Sequence, residues 1–335
     1  MTAINEPFKA IMVERVNDDV TQQIKTLTLD DLPTGEVVIE VQYSSMNYKD
    51  ALAYNGHPGV ARTLPHVPGI DCAGKVVESS DDRYAVGDIV LVTGYSLGAE
   101  AWGGWSQLVR VPADWVVPMP ESLDPRRAMA IGTAGFTAAQ SVAQIVYRDI
   151  TPDDGPVVVT GATGGVGIWS VAILAKLGYQ VTAVTGKSEQ AALLKELGAA
   201  EIVGRDAVND TSDRPLLKSQ WAAAVDTVGG TPLTTILRST KHRGCVTACG
   251  LVAGADLPLT VHPFILRGVT LAGIDSAKCP RPMRMEMWDK LSGDWQLDLP
   301  ETLLTEIGLS EVDDRVQQIM SGKVLGRTLV VPGRS

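Results

Sequence analysis

Gly161-Ala162-Thr163-Gly164-Gly165-Val166-Gly167 gathers four glycines directly after the apolar run Val157–Thr160. Val166, Trp169, Ile173, Leu174 and Leu177 then recur at helical spacing until Gly178. Glycines between a buried strand and a helix let the backbone approach a pyrophosphate, whose charge is met by unpaired N–H groups and the positive end of the helix dipole. The spacing departs from G-x-G-x-x-G at its second glycine, so the flanking elements carry the reading. The alternative is a tight strand-to-helix connection with no ligand. The chemistry expected here is dinucleotide binding.

The next strand, Val181–Val184, bears on which dinucleotide. An acid at its end would hold a ribose 2′-hydroxyl and repel a 2′-phosphate. Thr185-Gly186-Lys187-Ser188 has no acid but supplies a cation and two hydroxyls, which favours a phosphate and therefore NADP. Glu189 stands a few residues late, where it caps the next helix or faces solvent. Arg205, after the candidate strand Glu201–Val203, either closes on the same phosphate or is an ordinary surface arginine.

These residues need a scaffold. Short valine-rich runs punctuated by Gly and Pro (37–43, 74–78, 88–93, 107–112) give residues 1–124 the pattern of a β-barrel-like domain. From Pro125 onward helices and strands alternate: a helix near 128–147, the glycine turn, strands near 222–226 and 244–248, and a helix near 233–240. That order predicts an α/β doubly wound parallel sheet with crossover helices. A strand at 269–273, helices near 283–291 and 312–321, and a last strand at 327–331 follow.

Composition excludes several classes. With 335 residues, 45% hydrophobic and 20% charged, the chain is long enough for one large or two ordinary domains. A net charge of −10 without a basic stripe argues against nucleic acid and anionic membrane as partners. No apolar run reaches spanning length and Met1–Ala10 lacks a signal-peptide pattern, so a cytoplasmic location is expected. Cys72, Cys245, Cys249 and Cys279 are scattered as suits reduced thiols.

Asn47-Tyr48-Lys49-Asp50-Ala51-Leu52, Pro68-Gly69-Ile70-Asp71, Gly132-Thr133-Ala134-Gly135-Phe136-Thr137-Ala138, the glycine turn, Asp226-Thr227-Val228-Gly229, Cys249-Gly250-Leu251, Pro263-Phe264-Ile265-Leu266-Arg267 and Gly326-Arg327-Thr328-Leu329-Val330 run in order along nearly the whole chain. Together they resemble the medium-chain dehydrogenase/reductase superfamily, and within it the zinc-independent, NADPH-dependent acryloyl-CoA reductase group, which is quinone oxidoreductase-like. The resemblance implies a GroES-like β-barrel-type catalytic domain (1–124, with a return at 268–335), a Rossmann NADP-binding domain (125–267) and a homodimer.

It also bears on metal. Zinc-dependent relatives carry a cysteine where Asn47 stands and Gly-His-Glu where Gly69-Ile70-Asp71 stands, and an amide and an isoleucine replace neither ligand. Residues 80–120 contain no cysteine, and His57, His66, His242 and His262 have no ligand-like spacing. No metal is expected. By motif position, Thr163, Gly164, Gly165 and Val166 meet the pyrophosphate, Thr185, Gly186, Lys187 and Arg205 the 2′-phosphate, and Leu251, Ile265 and Ser276 the nicotinamide half. Leu251 and Ile265 can give only backbone and packing, or are core residues. Tyr48 packs beside the nicotinamide and either donates a proton or does not. Asn47, Asp50, Asp71 and Arg327 form a polar network that is either catalytic or a buried structural pairing. Gly132 and Thr133 open a helix, where Thr133 faces the site or caps.

The function implied is reduction of acryloyl-CoA to propionyl-CoA by hydride transfer from NADPH. The alternatives are reduction of a quinone or another α,β-unsaturated carbonyl, and a non-catalytic NADPH-binding role. A CoA thioester carries a 3′-phosphate, for which Lys278, Arg281 and Arg284, kept in a loop by prolines, are the candidate rim; the other reading is incidental surface charge. Lys241 with Arg243 is the rival patch.

Overall fold

The computed structural model describes residues 6–334, so the first half of Met1–Ala10 lies outside the described residues. The chain divides into two units, residues 1–133 with 277–292 and 298–335, and residues 134–276 with 293–297.

The first unit opens with an antiparallel hairpin, β1 (Phe8–Val16) and β2 (Asp19–Leu27). Then come β3 (Val37–Met46), the short helix α1 (Tyr48–Tyr54), β4 (Asp71–Ser79), β5 (Ile89–Thr93), β6 (Leu108–Val111) and β7 (Val117–Pro118). The valine-containing runs predicted a β-barrel-like domain, and Val37, Ile39, Val41, Val76, Val90 and Val109 fill one of its cores. Each such side chain, fully buried, contributes about 1.5–3 kcal/mol.

Helix α2 (Pro125–Val146) leaves this unit through a kink at Gly132, where φ is 50° and ψ −160°. In the second unit, β8 (Val157–Val159), α3 (Gly165–Lys176), β9 (Val181–Val184), α4 (Ala191–Glu196), β10 (Glu201–Val203), β11 (Trp221–Asp226), α5 (Gly230–Ser239), β12 (Thr240–Ala248), α6 (His262–Arg267) and β13 (Thr270–Gly273) alternate. The sheet is parallel throughout, in the order β10-β9-β8-β11-β12-β13. That is a Rossmann sheet. Its order reverses at β8, whose C-terminal end is therefore the natural ligand crevice.

The chain then returns to the first unit with α7 (Arg281–Ser292), β14 (Leu304–Ile307), α8 (Val312–Met320) and β15 (Arg327–Val330). β15 pairs antiparallel with β3, which sets Thr328 opposite Met46 and so brings Arg327 to the strand that precedes α1. Ile11, Met46, Tyr54, Trp105, Val316 and Val330 pack into one cluster that ties the last strand to the first.

The unit borders differ from the expected 124/125 and 267/268. β13 is hydrogen-bonded to β12 in the parallel sheet, which keeps residues 268–276 with the nucleotide unit. The first turns of α2 belong to the β unit, because the direction changes at Gly132 and not at Pro125. Among the described residues no helix is long and apolar enough to cross a membrane.

Candidate functional site

In the nucleotide unit, α3 starts at the glycine turn with Gly164 as its N-cap. A β-carbon on Gly167 would lie 2.2 Å from Gly161 O, so only glycine lets the helix pack this close to the turn. Gly164 N–H is taken by Gly161 O at 2.8 Å, while Gly165 and Val166 form the helix start, where N–H groups without intrahelical partners are available to an anion. Beside it a cavity of about 530 Å³ is lined by Thr163, Thr185, Gly186, Lys187 and Arg205, among others. These are five of the residues expected to hold the cofactor. Thr185 Oγ1 accepts from Lys187 N at 3.0 Å and lies 3.4 Å from Thr163 Oγ1. The Arg205 guanidinium lies against Gly186: a β-carbon there would stand 2.6 Å from its Nε. Arg205 therefore joins Lys187 at the acid-free end of β9.

Ser276, Leu251 and Ile265 do not line this cavity. Leu251 is 67% and Ile265 70% exposed, so neither is a core residue: Leu251 lies on the connection after β12 and Ile265 in helix α6, and their apolar character mimics burial in the sequence. Asp226-Thr227 stands in a family-like motif whose role is not legible in the sequence. Asp226, fully buried, accepts from Thr160 Oγ1 at 2.8 Å and from Gly229 N at 2.7 Å, while Thr227 N and Oγ1 donate to Thr160 Oγ1 and O. This lock holds the strand ends that floor the cavity. Burial raises the Asp226 pKa, against the pull of these donors. The four cysteines are free, and burial, helped by the Asp226 carboxylate, pushes the Cys249 thiol up to about 12, which suppresses the thiolate.

In the β unit, Asn47, Asp50, Asp71 and Arg327 do meet. Asn47 is the N-cap of α1 and Asp50 its N3 residue, a capping pair written in the local sequence. Asn47 Nδ2 faces Asp71 Oδ2 at 2.9 Å, Ser45 Oγ at 3.1 Å and Asp50 Oδ2 at 3.1 Å, and its Oδ1 accepts from Arg327 Nη1 at 3.1 Å. Asp71 also accepts from Ser45 Oγ at 2.5 Å, from Thr133 N at 2.9 Å and from Thr133 Oγ1 at 2.6 Å. The kink at Gly132 frees the Thr133 N–H from the helix ladder, and Asp71 supplies the missing acceptor. Thr133 thus both begins the second half of α2 and belongs to the network. Ser45 was missed by sequence reasoning; only its place two residues before Asn47 hints at it.

Arg327 is 3% exposed, donates from Nε to Ala130 O, and its Nη2 has no hydrogen-bond partner among the described residues. Burial lowers its pKa while Asp71 and Asp50 oppose that shift. So deep a group holds Asn47 and does not itself present a donor to solvent. Tyr48 is the contrary case: it opens α1, is 49% exposed and has no hydrogen bond to the network.

Asp50 is fully buried and accepts from Asn47 N and Nδ2, Gly69 N and Ile70 N. Burial, with the Asp71 charge, outweighs these donors and pushes its pKa up to about 7. Between the ordinary carboxylate range and 7 the folded protein then binds a proton that the unfolded chain does not. That contribution to stability is present at acid pH and lost as pH rises through about 7. Urea unfolding of wild type and Asp50→Asn should therefore show the wild type gaining on the variant as pH falls from 7 toward 4; a constant gap would contradict the raised pKa.

The expected CoA-phosphate rim is overturned. Arg281 begins helix α7, where it binds Asp114 O, Val116 O and Tyr84 Oη, and Arg284 is completely buried on Thr93. Pro282 falls in the first turn of the helix, where proline is tolerated, so it does not hold a loop open. Lys241 and Arg243 border a separate cavity of about 520 Å³ with Arg148 and His242, at the start of β12 and so at the opposite end of the parallel sheet from the glycine turn.

Comparison with known proteins agrees with this architecture. Residues 33–121 match the alcohol dehydrogenase GroES-like domain and residues 165–292 the family described as zinc-binding dehydrogenase. With a Rossmann sheet that carries a phosphate-binding turn, these matches define an oxidoreductase of the medium-chain dehydrogenase/reductase class. The chain is 48% identical over 325 residues, 96% of its length and 98% of the relative's, to acrylyl-CoA reductase AcuI of Ruegeria pomeroyi, and it belongs to that family. A crystal structure of E. coli K-12 YhdH with bound NADPH superposes with a TM-score of 0.91 at 45% identity, covering 96% of this chain and 99% of that one. Bacillus subtilis yhfP with NAD bound gives 0.94 at 44% identity, covering 97% and 99%. NADPH suits the residues present, since Lys187 and Arg205 face the corner where a 2′-phosphate would need cations.

A zinc ion does not suit them. At the two ligand positions stand an amide whose oxygen and nitrogen are both engaged and an isoleucine, and the neighbouring carboxylates of Asp50 and Asp71 are filled by hydrogen bonds.

Proposed function

We propose that this chain is an NADPH-dependent, metal-independent acrylyl-CoA reductase that works as a homodimer in the cytoplasm. The observation that carries the reading is the pair Lys187 and Arg205 at the acid-free end of β9, in a chain that matches acrylyl-CoA reductase AcuI nearly end to end. Thr185, Lys187 and Arg205 hold the 2′-phosphate, and the N–H groups at the start of α3 meet the pyrophosphate. When bound, NADPH supplies a hydride to the terminal alkene carbon. The alkene pair then moves toward the thioester, and its oxygen gains charge. The exposed Tyr48 phenol is the proton donor to the α-carbon, with water replacing the proton it gives. Asn47 anchors the start of α1 under Tyr48, and Asp50, Asp71 and Arg327 hold Asn47. The dimer is supported by β13, which pairs on one side only, and by exposed Val261, Ile265 and Leu266 just before it.

The test is oxidation of NADPH in the presence of acrylyl-CoA, of a simple quinone, or of neither, before and after dialysis against a strong chelator. Turnover with acrylyl-CoA that survives the chelator is expected. Turnover with the quinone alone, or activity that returns only with zinc, would overturn the reading.

A further inference from the structure

The connection after β5 carries an aromatic hydroxyl that the mechanism above does not use. Tyr95 has a φ of +53°, in the left-handed region that a bulky side chain rarely enters. It is held there on several sides. Its N–H donates to Ala277 O at 2.8 Å, its ring stacks on Trp115 with centroids 5.6 Å apart and planes 5° apart, and the Arg284 guanidinium lies 4.1 Å from its ring centroid. Arg284 is itself immobilised, donating to Thr93 O at 2.6 Å, Thr93 Oγ1 at 3.0 Å and Ala277 O at 3.2 Å. The Tyr95 phenol carries one O–H that can donate to a partner.

The location matters as much as the clamp. Thr93 is paired across the sheet with Asp71, and Gly94 N donates to Ile70 O at 2.9 Å. Tyr95 therefore leaves the loop that lies along Gly69-Ile70-Asp71, the segment that also receives Asn47 and Asp50. A strained tyrosine fixed by a cation, a stacked ring and a backbone bond exceeds what a surface connection requires, and strain of this kind collects at functional sites.

We propose that Tyr95 is a second substrate-facing residue of the reductase, donating its phenolic hydrogen bond to the thioester oxygen of acrylyl-CoA, with Arg284 and Trp115 as its positioning residues. The inference rests on the function proposed above. As hydride reaches the terminal carbon, the alkene pair shifts toward the thioester and negative charge grows on that oxygen. The hydrogen bond strengthens in step, so it favours the transition state over the bound substrate. No bond to Tyr95 is made or broken, and the proton for the α-carbon arrives separately.

Tyr95→Phe keeps the ring and its stack and removes only the hydroxyl. With acrylyl-CoA, kcat should fall about 10- to 100-fold, the loss expected for a hydrogen bond to a charged oxygen. The Kd values of NADPH and propionyl-CoA, read by protein fluorescence, should move less than about threefold. Arg284→Lys should lower kcat in the same direction, and Tyr95→Phe in that background should add little further loss. A Tyr95→Phe enzyme within about twofold of wild type, a loss confined to KM, or fully additive effects of the two substitutions would overturn the inference. Should Arg284→Lys fail to fold, Tyr95→Phe alone decides. A wild type inactive on acrylyl-CoA overturns the function and this inference together, whereas an active wild type with an unaffected Tyr95→Phe overturns this inference alone.

Discussion

Replacing Lys187 and Arg205 together by alanine should weaken NADPH binding by about a hundredfold to a thousandfold and leave NADH within about threefold of wild type. Each cation adds a charge-assisted contact of about 1.5–3 kcal/mol to a phosphate that only NADPH carries. Arg205 lies against Gly186 and shares one cavity with Lys187, so the two contacts couple and their sum falls short of strict additivity. Fluorescence titration of both cofactors reads the effect directly, without turnover. The comparison is pointed, because a relative of similar identity has been crystallised with NAD bound. Equal weakening of both cofactors, or a wild type that prefers NADH, would remove the 2′-phosphate from this corner.

The second large effect is expected at a residue with no chemistry of its own. At Gly132, φ 50° with ψ −160° is a conformation open in practice only to glycine, and a β-carbon would stand 2.8 Å from Asp71 Oδ2, 2.9 Å from Arg327 Nη2 and 3.0 Å from Ser45 Oγ. Asp71 cannot give way without leaving Thr133 N and Asn47 Nδ2 short of an acceptor, and Arg327 is buried behind it. Gly132→Ala should cost about 2–4 kcal/mol, combining backbone strain with overpacking, and should lower kcat because the network that holds Asn47 shifts. Gly333→Ala, with nothing within 4 Å of the added carbon, is the matched control and should stay within about 0.5 kcal/mol. Chemical denaturation of both variants checks the pair. A Gly132→Ala protein as stable as its control would show that α2 can straighten at no cost.

The sequence by itself determined the parts of this protein that depend on local periodicity. Hydrophobic runs of strand and helix period, broken by Gly and Pro, predicted the parallel sheet, the glycine turn and α3, and the missing acid after β9 pointed to a phosphate, all within a few residues of chain. The hairpin β1–β2 escaped, because β2 reads Asp-Val-Thr-Gln-Gln-Ile-Lys-Thr-Leu and its largely exposed face leaves little apolar alternation to detect. Asn47 and Asp50 were picked out only through the family resemblance, as members of a polar network, and their pairing as N-cap and N3 of α1 emerged from the structure.

Tertiary structure alone decided the rest. Whether Arg284 is surface or core depends on β5 offering Thr93 O as an acceptor, 191 residues away in the chain, and nothing in the basic run Lys278–Arg284 encodes that. Whether Leu251 and Ile265 are covered is likewise a property of the neighbours, and hydrophobicity alone cannot distinguish a core leucine from an exposed one. The junction of Asn47, Asp71, Thr133 and Arg327 draws on four separated segments, brought together by β15 pairing with β3 and by the kink at Gly132. A hydrogen bond acts over about 3 Å, whereas sequence periodicity reports only on a residue's own helix face or strand face. Which distant donor meets which acceptor is therefore settled when the strands pair.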